Sequence, residues 1–109
     1  MLKFNYNKSE KALTCFFAGR LDTIASFNLC DELYAKLNTL RGTDDPAVMV
    51  NDKILFDMTE VNYIASSFIR ICITVAKQLP RGNLTIVNCD PFLKKTFKIA
   101  GLDEILIVT

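Results

Sequence analysis

Apolar and polar residues alternate first in LKFNY, residues 2–6, and the polar run NKSEK then separates them from ALTCFFAG, which is rich in β-formers. That pattern predicts two strands joined as a hairpin, the second closed by Gly19. Arg20 to Thr23 lead into a helix whose first amides Asp22 or Thr23 can cap. Phe27, Cys30, Leu33, Leu37 and Leu40 then recur at steps of three and four, with Asn28, Asp31, Glu32 and Lys36 between them, so the helix is amphipathic and stops near Gly42. Residues 41–53 read as a long loop whose apolar Ala47 to Val50 touches the core or a partner. KILFDM fits a buried strand ended by Asp57, Thr59 and Glu60.

After two adjacent serines, residues 66–79 gather Phe68, Ile69, Cys72, Val75, Ala76 and Leu79 on one side of a helix, flanked by Ile71 and Ile73. Arg70, Thr74, Lys77 and Gln78 fall on the other side. Pro80, Arg81 and Gly82 end that helix, and NLTIVN is the next strand. In DPFLKKTFKIAG, Asp90 is the expected cap, Pro91 the first helical residue and Gly101 the terminator. Leu93, Phe97 and Ala100 should line its inner face, with Phe92 and Ile99 beside them and Lys94, Lys95 and Lys98 facing out. ILIVT supplies the last strand. The order β-β-α-β-α-β-α-β describes an α/β chain in which strands linked by crossover helices lie parallel.

Half of the 109 residues are apolar, enough for one core, so residues 1–109 are expected to form a single domain. A net charge of +1, with lysines and arginines scattered among acids, gives no electrostatic case for nucleic acid or an anionic membrane. No apolar stretch nears the roughly 20 residues a bilayer requires, and the N-terminal apolar region is too short for a signal peptide, so stable membrane insertion is not expected and the expected location is the cytoplasm. Cys15, Cys30, Cys72 and Cys89 lie singly in apolar segments and read as core thiols.

Histidine is absent, which removes the commonest general base and a frequent metal ligand, and no metal or other cofactor is expected. The four glycines, at 19, 42, 82 and 101, each sit where an element ends, so none builds a phosphate loop. Asp57 and Glu60 read as turn formers rather than a catalytic pair, and no catalytic residue is assigned. The basic stripe of Arg70, Thr74, Lys77 and Arg81 and the lysines at 94, 95 and 98 read first as solvated helix faces. Ser66 stands at the start of the second helix, where its hydroxyl can cap the first turn. The same position tolerates a phosphoryl group, because a helix N-terminus offers unpaired N–H donors and about half a positive charge. Ser67 is the weaker candidate.

The succession AGRLDT, ILFDMTEVNYIASSFIR and GNLTIVNCDPFLKKTFKIAGLDEIL closely resembles the STAS domain of bacterial anti-sigma factor antagonists, from about Leu13 to Val108. The resemblance implies a mixed β-sheet with helices packed mainly on one face, no catalysis, and a phosphorylatable serine at the start of the second helix, which corresponds to Ser66. It further implies a protein partner, an anti-sigma factor or serine kinase, bound by the unphosphorylated form and released by phosphorylation. The docking surface carried over comprises Asp22, Thr23, Asn62, Ser66, Ser67 and Arg70, and a homodimer is left open. Ala65 replaces the aspartate usual before the serine, and Phe68 the glycine usual two positions after it; the wheel turns Phe68 inward. A constitutive adaptor or complex subunit, or a holder of a small ligand, is the alternative.

Overall fold

The computed structural model describes residues 2–109. Strands β1 (Leu2–Asn7) and β2 (Ala12–Leu21) form the antiparallel hairpin, with Leu2 opposite Phe17 and Asn7 opposite Ala12. Then follow α1 (Thr23–Arg41), β3 (Lys53–Ile64), α2 (Ser66–Ala76), β4 (Leu84–Val87), α3 (Pro91–Ile99) and β5 (Ile107–Val108). The sheet order is β1-β2-β3-β4-β5, and every pair from β2 onward is parallel. Each parallel crossover steps one strand in the same direction, and crossovers of one hand then place α1, α2 and α3 on the same side of the sheet. The strands record this: Leu13, Cys15, Phe17, Ile54, Phe56, Leu84 and Ile86 are buried under the helices, while the alternating Thr14, Phe16, Leu55 and Thr85 remain wholly or partly exposed. No helix among the described residues is long and apolar enough to cross a membrane.

Three phenylalanines hold the middle of the core. Phe68, the first inward residue of α2, stands edge-on to Phe17 of β2 at 5.1 Å between ring centroids, and Phe17 in turn stands edge-on to Phe56 of β3 at 4.9 Å. The inward turn expected for Phe68 is therefore present, and a bulky residue at this helix start occupies the core without obstructing the surface. Edge-to-face pairs of this kind add to the stabilisation from burial alone.

The strands run further than their residue pattern suggests. β2 does not close at Gly19 but continues to Leu21, with Gly19 at φ +84° beside a break in register. β3 does not end at Asp57 and Glu60 but runs on to Ile64. Two shifts in the β2–β3 pairing, between Phe16 and Ala18 and between Gly19 and Arg20, place extra residues in β3. Met58, Val61 and Ile64, three apart, all reach the core for that reason, where a plain strand would allow only every second residue. Asp57 does form a local turn, accepting bonds from the Thr59 amide at 2.9 Å and the Thr59 hydroxyl at 2.6 Å, and another from the Asn88 side chain at 3.0 Å. Asn88 holds φ 60°, a left-handed conformation asparagine tolerates.

The inward stripe of α1 is rotated from the expected one. Ser26, Leu29, Leu33 and Leu37 are buried, Cys30 and Leu40 flank them, and Phe27 is 77% exposed. In α3, Leu93 and Phe97 face the core as expected, but Ala100, Phe92 and Ile99 are exposed. The loop after α1 is tied down at both ends. Gly42 caps the helix at φ 77°, Val50 is buried with its amide donating to the Gln78 carbonyl at 2.8 Å, and Arg41 donates to the carbonyls of Asp45 and Val48 and to the Gln78 side chain. Ala47, Val48 and Met49 remain exposed, so of that apolar stretch only Val50 joins the core. A 3-10 turn at Leu102–Glu104, which buries Leu102, stands before a β5 of only two residues, where a five-residue strand was expected. The four cysteines are free; Cys15 and Cys72 are buried and Cys30 and Cys89 half-buried. Burial pushes the Cys15 thiol up to about 12 and the Cys72 thiol higher, which keeps both protonated and unreactive.

The two helix starts differ in their caps. Asp22 precedes α1 and accepts from the Ala25 amide at 2.9 Å. Ser66 is not the cap of α2: Ala65 holds that position in extended backbone and brings no side-chain acceptor, while Ser66 is the first helical residue.

Three stability outcomes follow from these contacts. Phe68→Ala is expected to lose about 3–5 kcal/mol in urea denaturation, the usual cost of emptying a buried aromatic site. Asp22→Ala should lose about 1 kcal/mol, whereas Ser66→Ala should stay within about 0.5 kcal/mol of the parent, because Asp22 satisfies a helix amide and Ser66 does not. Burial raises the affinity of Asp57 for a proton, but the three bonds from Thr59 and Asn88 outweigh it and hold the carboxyl below its ordinary value. A depressed carboxyl stabilises the fold above its unfolded value of about 3.9, and that contribution disappears as pH falls through the folded value. Asp57→Asn is therefore expected to flatten the acid side of a stability-versus-pH curve below about pH 4 and to leave its neutral region unchanged in slope.

Candidate functional site

The site is built by the ends of β2 and β3. These strands pair in parallel up to Leu21 and Ile64, and the Ala65 amide donates to the Leu21 carbonyl at 2.9 Å. β4 pairs with β3 only from Ile54 to Asp57, so the segment Met58–Ile64 is held by β2 alone and carries the tip beyond the rest of the sheet. α1 and α2 leave this tip at the same level, with their N-termini side by side and their positive ends adding at one surface. The tip is stiffened from outside by Arg20, whose guanidinium carbon lies 3.8 Å from the centre of the Tyr63 ring directly across the pair of strands.

Ser66 is exposed at the first position of α2. The first amides of any helix have no intrahelical acceptor, and here Ala65 supplies none from its side chain. A negatively charged group on the Ser66 oxygen would meet unpaired N–H donors and would have the exposed Arg70 one turn further along the same face. Ser67 is different from its neighbour: its Oγ is buried and has no hydrogen-bond partner.

Of the residues assigned to the docking surface, Asp22, Thr23, Ser66, Ser67 and Arg70 converge at the paired helix starts. Asn62 lies at the same end, exposed on β3 two residues before Ile64. Asp22 is not free to serve a partner alone, since its carboxylate already holds the Ala25 amide. Thr23, Ser67 and Arg70 also line a groove of about 270 Å³ between α1 and α2, whose further walls include Ser26, Phe27, Tyr34 and Ile71.

The residue pattern missed Ile24 and Phe27, which stand 73% and 77% exposed on the first turns of α1. A large apolar pair on an open surface next to polar helix starts is the composition of a contact site. The available signal was that Ser26, Leu29, Leu33 and Leu37 also step by three and four; the polar Ser26 at its head made the stripe through Phe27 look more apolar.

By structure, the chain is similar to the anti-sigma factor antagonist SpoIIAA in its unphosphorylated form, at 13% identity and a TM-score of 0.66, covering 100% of this chain and 87% of that one. A protein of Thermotoga maritima provisionally described as an anti-sigma factor antagonist aligns at 11% identity and a TM-score of 0.76, covering 99% and 85%. The Bacillus cell fate determinant SpoIIAA in the phosphorylated form aligns at 16% identity and a TM-score of 0.58, covering 100% and 91%. At these identities the likeness establishes a shared fold. No curated protein matches the chain by sequence. The model of the STAS domain matches residues 3–109, nearly the whole sequence, and the chain therefore belongs to the STAS domain family.

Proposed function

We propose that this STAS domain is a non-catalytic regulatory module of the anti-sigma factor antagonist kind, whose unmodified form binds an anti-sigma factor or serine kinase and whose Ser66 is the phosphate acceptor. The observation that carries the reading is the state of Ser66. It is exposed on the first turn of α2, and its hydroxyl is not spent on capping the helix. Phosphorylation at this point adds about −1.5 to −2 charges where free amides and Arg70 can accommodate them, so the fold survives while the surface changes sign. A partner surface matched to a neutral hydroxyl then faces repulsion and uncompensated desolvation.

The partner-facing surface in this reading consists of Ser66 and Arg70 on α2, Thr23, Ile24 and Phe27 on α1, and Asn62 on β3. Ile24 and Phe27 supply the apolar area that exposed polar groups alone do not. Ala65 offers no carboxylate at the cap, so the kinase would have to position its nucleotide without help from that residue. The likeness to SpoIIAA structures in the unphosphorylated and the phosphorylated form supports the reading, because both states occur in a protein of this fold.

Incubation with ATP and the serine kinase encoded beside its gene, followed by mass spectrometry, is expected to place one phosphate on Ser66. Ser66→Asp is expected to weaken partner binding at least about tenfold while Ser66→Ala binds like the parent. Equal binding by the two variants, or a competent kinase that leaves Ser66 unmodified, would eliminate the switch. If Phe27→Ala nevertheless abolished binding in that case, the domain would be a constitutive adaptor using the same surface.

A further inference from the structure

Two serines that line the groove between α1 and α2 carry buried hydroxyls that the fold leaves unsatisfied. Ser26 is 1% exposed, and its Oγ has no hydrogen-bond partner; the Oγ of Ser67, across from it on the neighbouring helix, is likewise buried and unpartnered. A buried hydroxyl without a partner costs roughly 1–3 kcal/mol compared with one that is bonded. Both residues could be alanine without loss of any hydrogen bond the fold makes, so hydrogen bonding within the fold does not explain their presence. Both line the same groove.

The remaining walls specify what could satisfy them. Phe27 and Ile71 present apolar surface from opposite helices, Tyr34 lies at the end farther from the helix starts, and Arg70 is the charged side chain in the wall. Both helices begin at the Ser67 end, so that end is the electropositive one. Two acids adjoin the α1 part of the wall: Asp22, beside Thr23, has its carboxylate committed to the Ala25 amide, and Asp31, beside Cys30 one turn beyond Ser26, lies 3.9 Å from the Cys30 sulfur. The groove runs past Ser67 to Thr74, a rise of about 10 Å along α2. Its volume of about 270 Å³ falls just below the roughly 300–1,000 Å³ typical of small-ligand sites, which suits a small occupant.

We propose that this groove binds a small amphiphilic monocarboxylate, its acid group taking hydrogen bonds from Ser26, Ser67 and Arg70 and its hydrocarbon body lying between Phe27 and Ile71. The acid sits at the shared N-terminal end of the two helices, and the tail extends toward Tyr34. A rotation about χ1 turns either serine hydroxyl toward the ligand, a change between ordinary rotamer wells. The anion completes the bonding of both hydroxyls and meets the exposed Arg70 guanidinium, whose planar fork suits a carboxylate. The groove exists without modification of Ser66, but Arg70 is shared, so a phosphate on Ser66 would compete with the ligand's acid for the same guanidinium.

Sodium octanoate is the first probe, followed by amide chemical shifts of the isotopically labelled protein. Saturable shifts are expected at Phe27, Ile71 and Thr74, with 1-octanol, of equal chain length but uncharged, binding at least about tenfold more weakly. Arg70→Ala is expected to erase most of that difference. Thr74→Trp, which fills the groove from its exposed rim, is expected to abolish binding with the amide spectrum otherwise preserved. Ser26→Ala supplies a second, independent reading: its melting temperature should equal or exceed that of the parent, while its affinity for octanoate falls roughly tenfold. The proposal is overturned if octanoate gives no saturable shift at millimolar concentration, if octanol binds as tightly, if the shifts fall on the open sheet face, or if Ser26→Ala binds octanoate unchanged.

Discussion

The hydrogen bond from the Ala65 amide to the Leu21 carbonyl, at the last step of the parallel β2–β3 ladder, fixes the geometry on which the proposed functional surface depends. Parallel strands that end together must send their following helices off together. The two helix starts are consequently neighbours although 43 positions separate Thr23 from Ser66 in the chain. Everything assigned to recognition follows from that adjacency: the joint positive end, the exposed serine beside an apolar pair, and the groove between the helices. Were β3 to slip by one residue against β2, its core-facing and outward residues would exchange and the phenylalanine cluster would be lost with them.

That cluster explains why the surface can be arranged so freely. Phe68 seats the first turn of α2 by its side chain, against Phe17 and Phe56, and the helix does not rely on a polar cap to define where it begins. Ser66 is thereby released from structural duty. In α1 the reverse holds: its start is fixed by Asp22 through a backbone amide, and its first turns can expose Ile24 and Phe27. Two helix starts, one held by packing and one by a carboxylate, leave different residues available on the outside.

Element order, the Asp22 and Asp90 caps, the glycine stop of α1 and the inward face of α2 were legible in the residues because each rests on local chemistry: a short acceptor before a helix, or a repeat close to 3.6 residues. The length of β3 was not legible. Asp57, Thr59 and Glu60 look like the end of a strand, and only the register with β2, which is a property of two distant segments, allows the strand to bulge and continue. The rotation of the α1 stripe was obscured for a related reason: two overlapping stripes satisfy the same period, and the sheet, not the helix, selects the one headed by Ser26. The position of Ser66 as a surface residue at a helix start was readable, but its lack of a capping role was not, since that depends on one residue of offset at the helix boundary.

The stretch of β3 beyond Asp57 has one flank covered by β2 and the other without a strand neighbour. Bare strand flanks ordinarily invite a visiting chain to dock by its backbone, the route by which sheets grow into larger assemblies. Here the irregular spacing that lets Met58, Val61 and Ile64 all turn inward also spoils the even ladder such a visitor would need. Extra residues in that strand thus act as a guard against promiscuous pairing, which agrees with the proposal that recognition rests on side chains gathered at the helix ends.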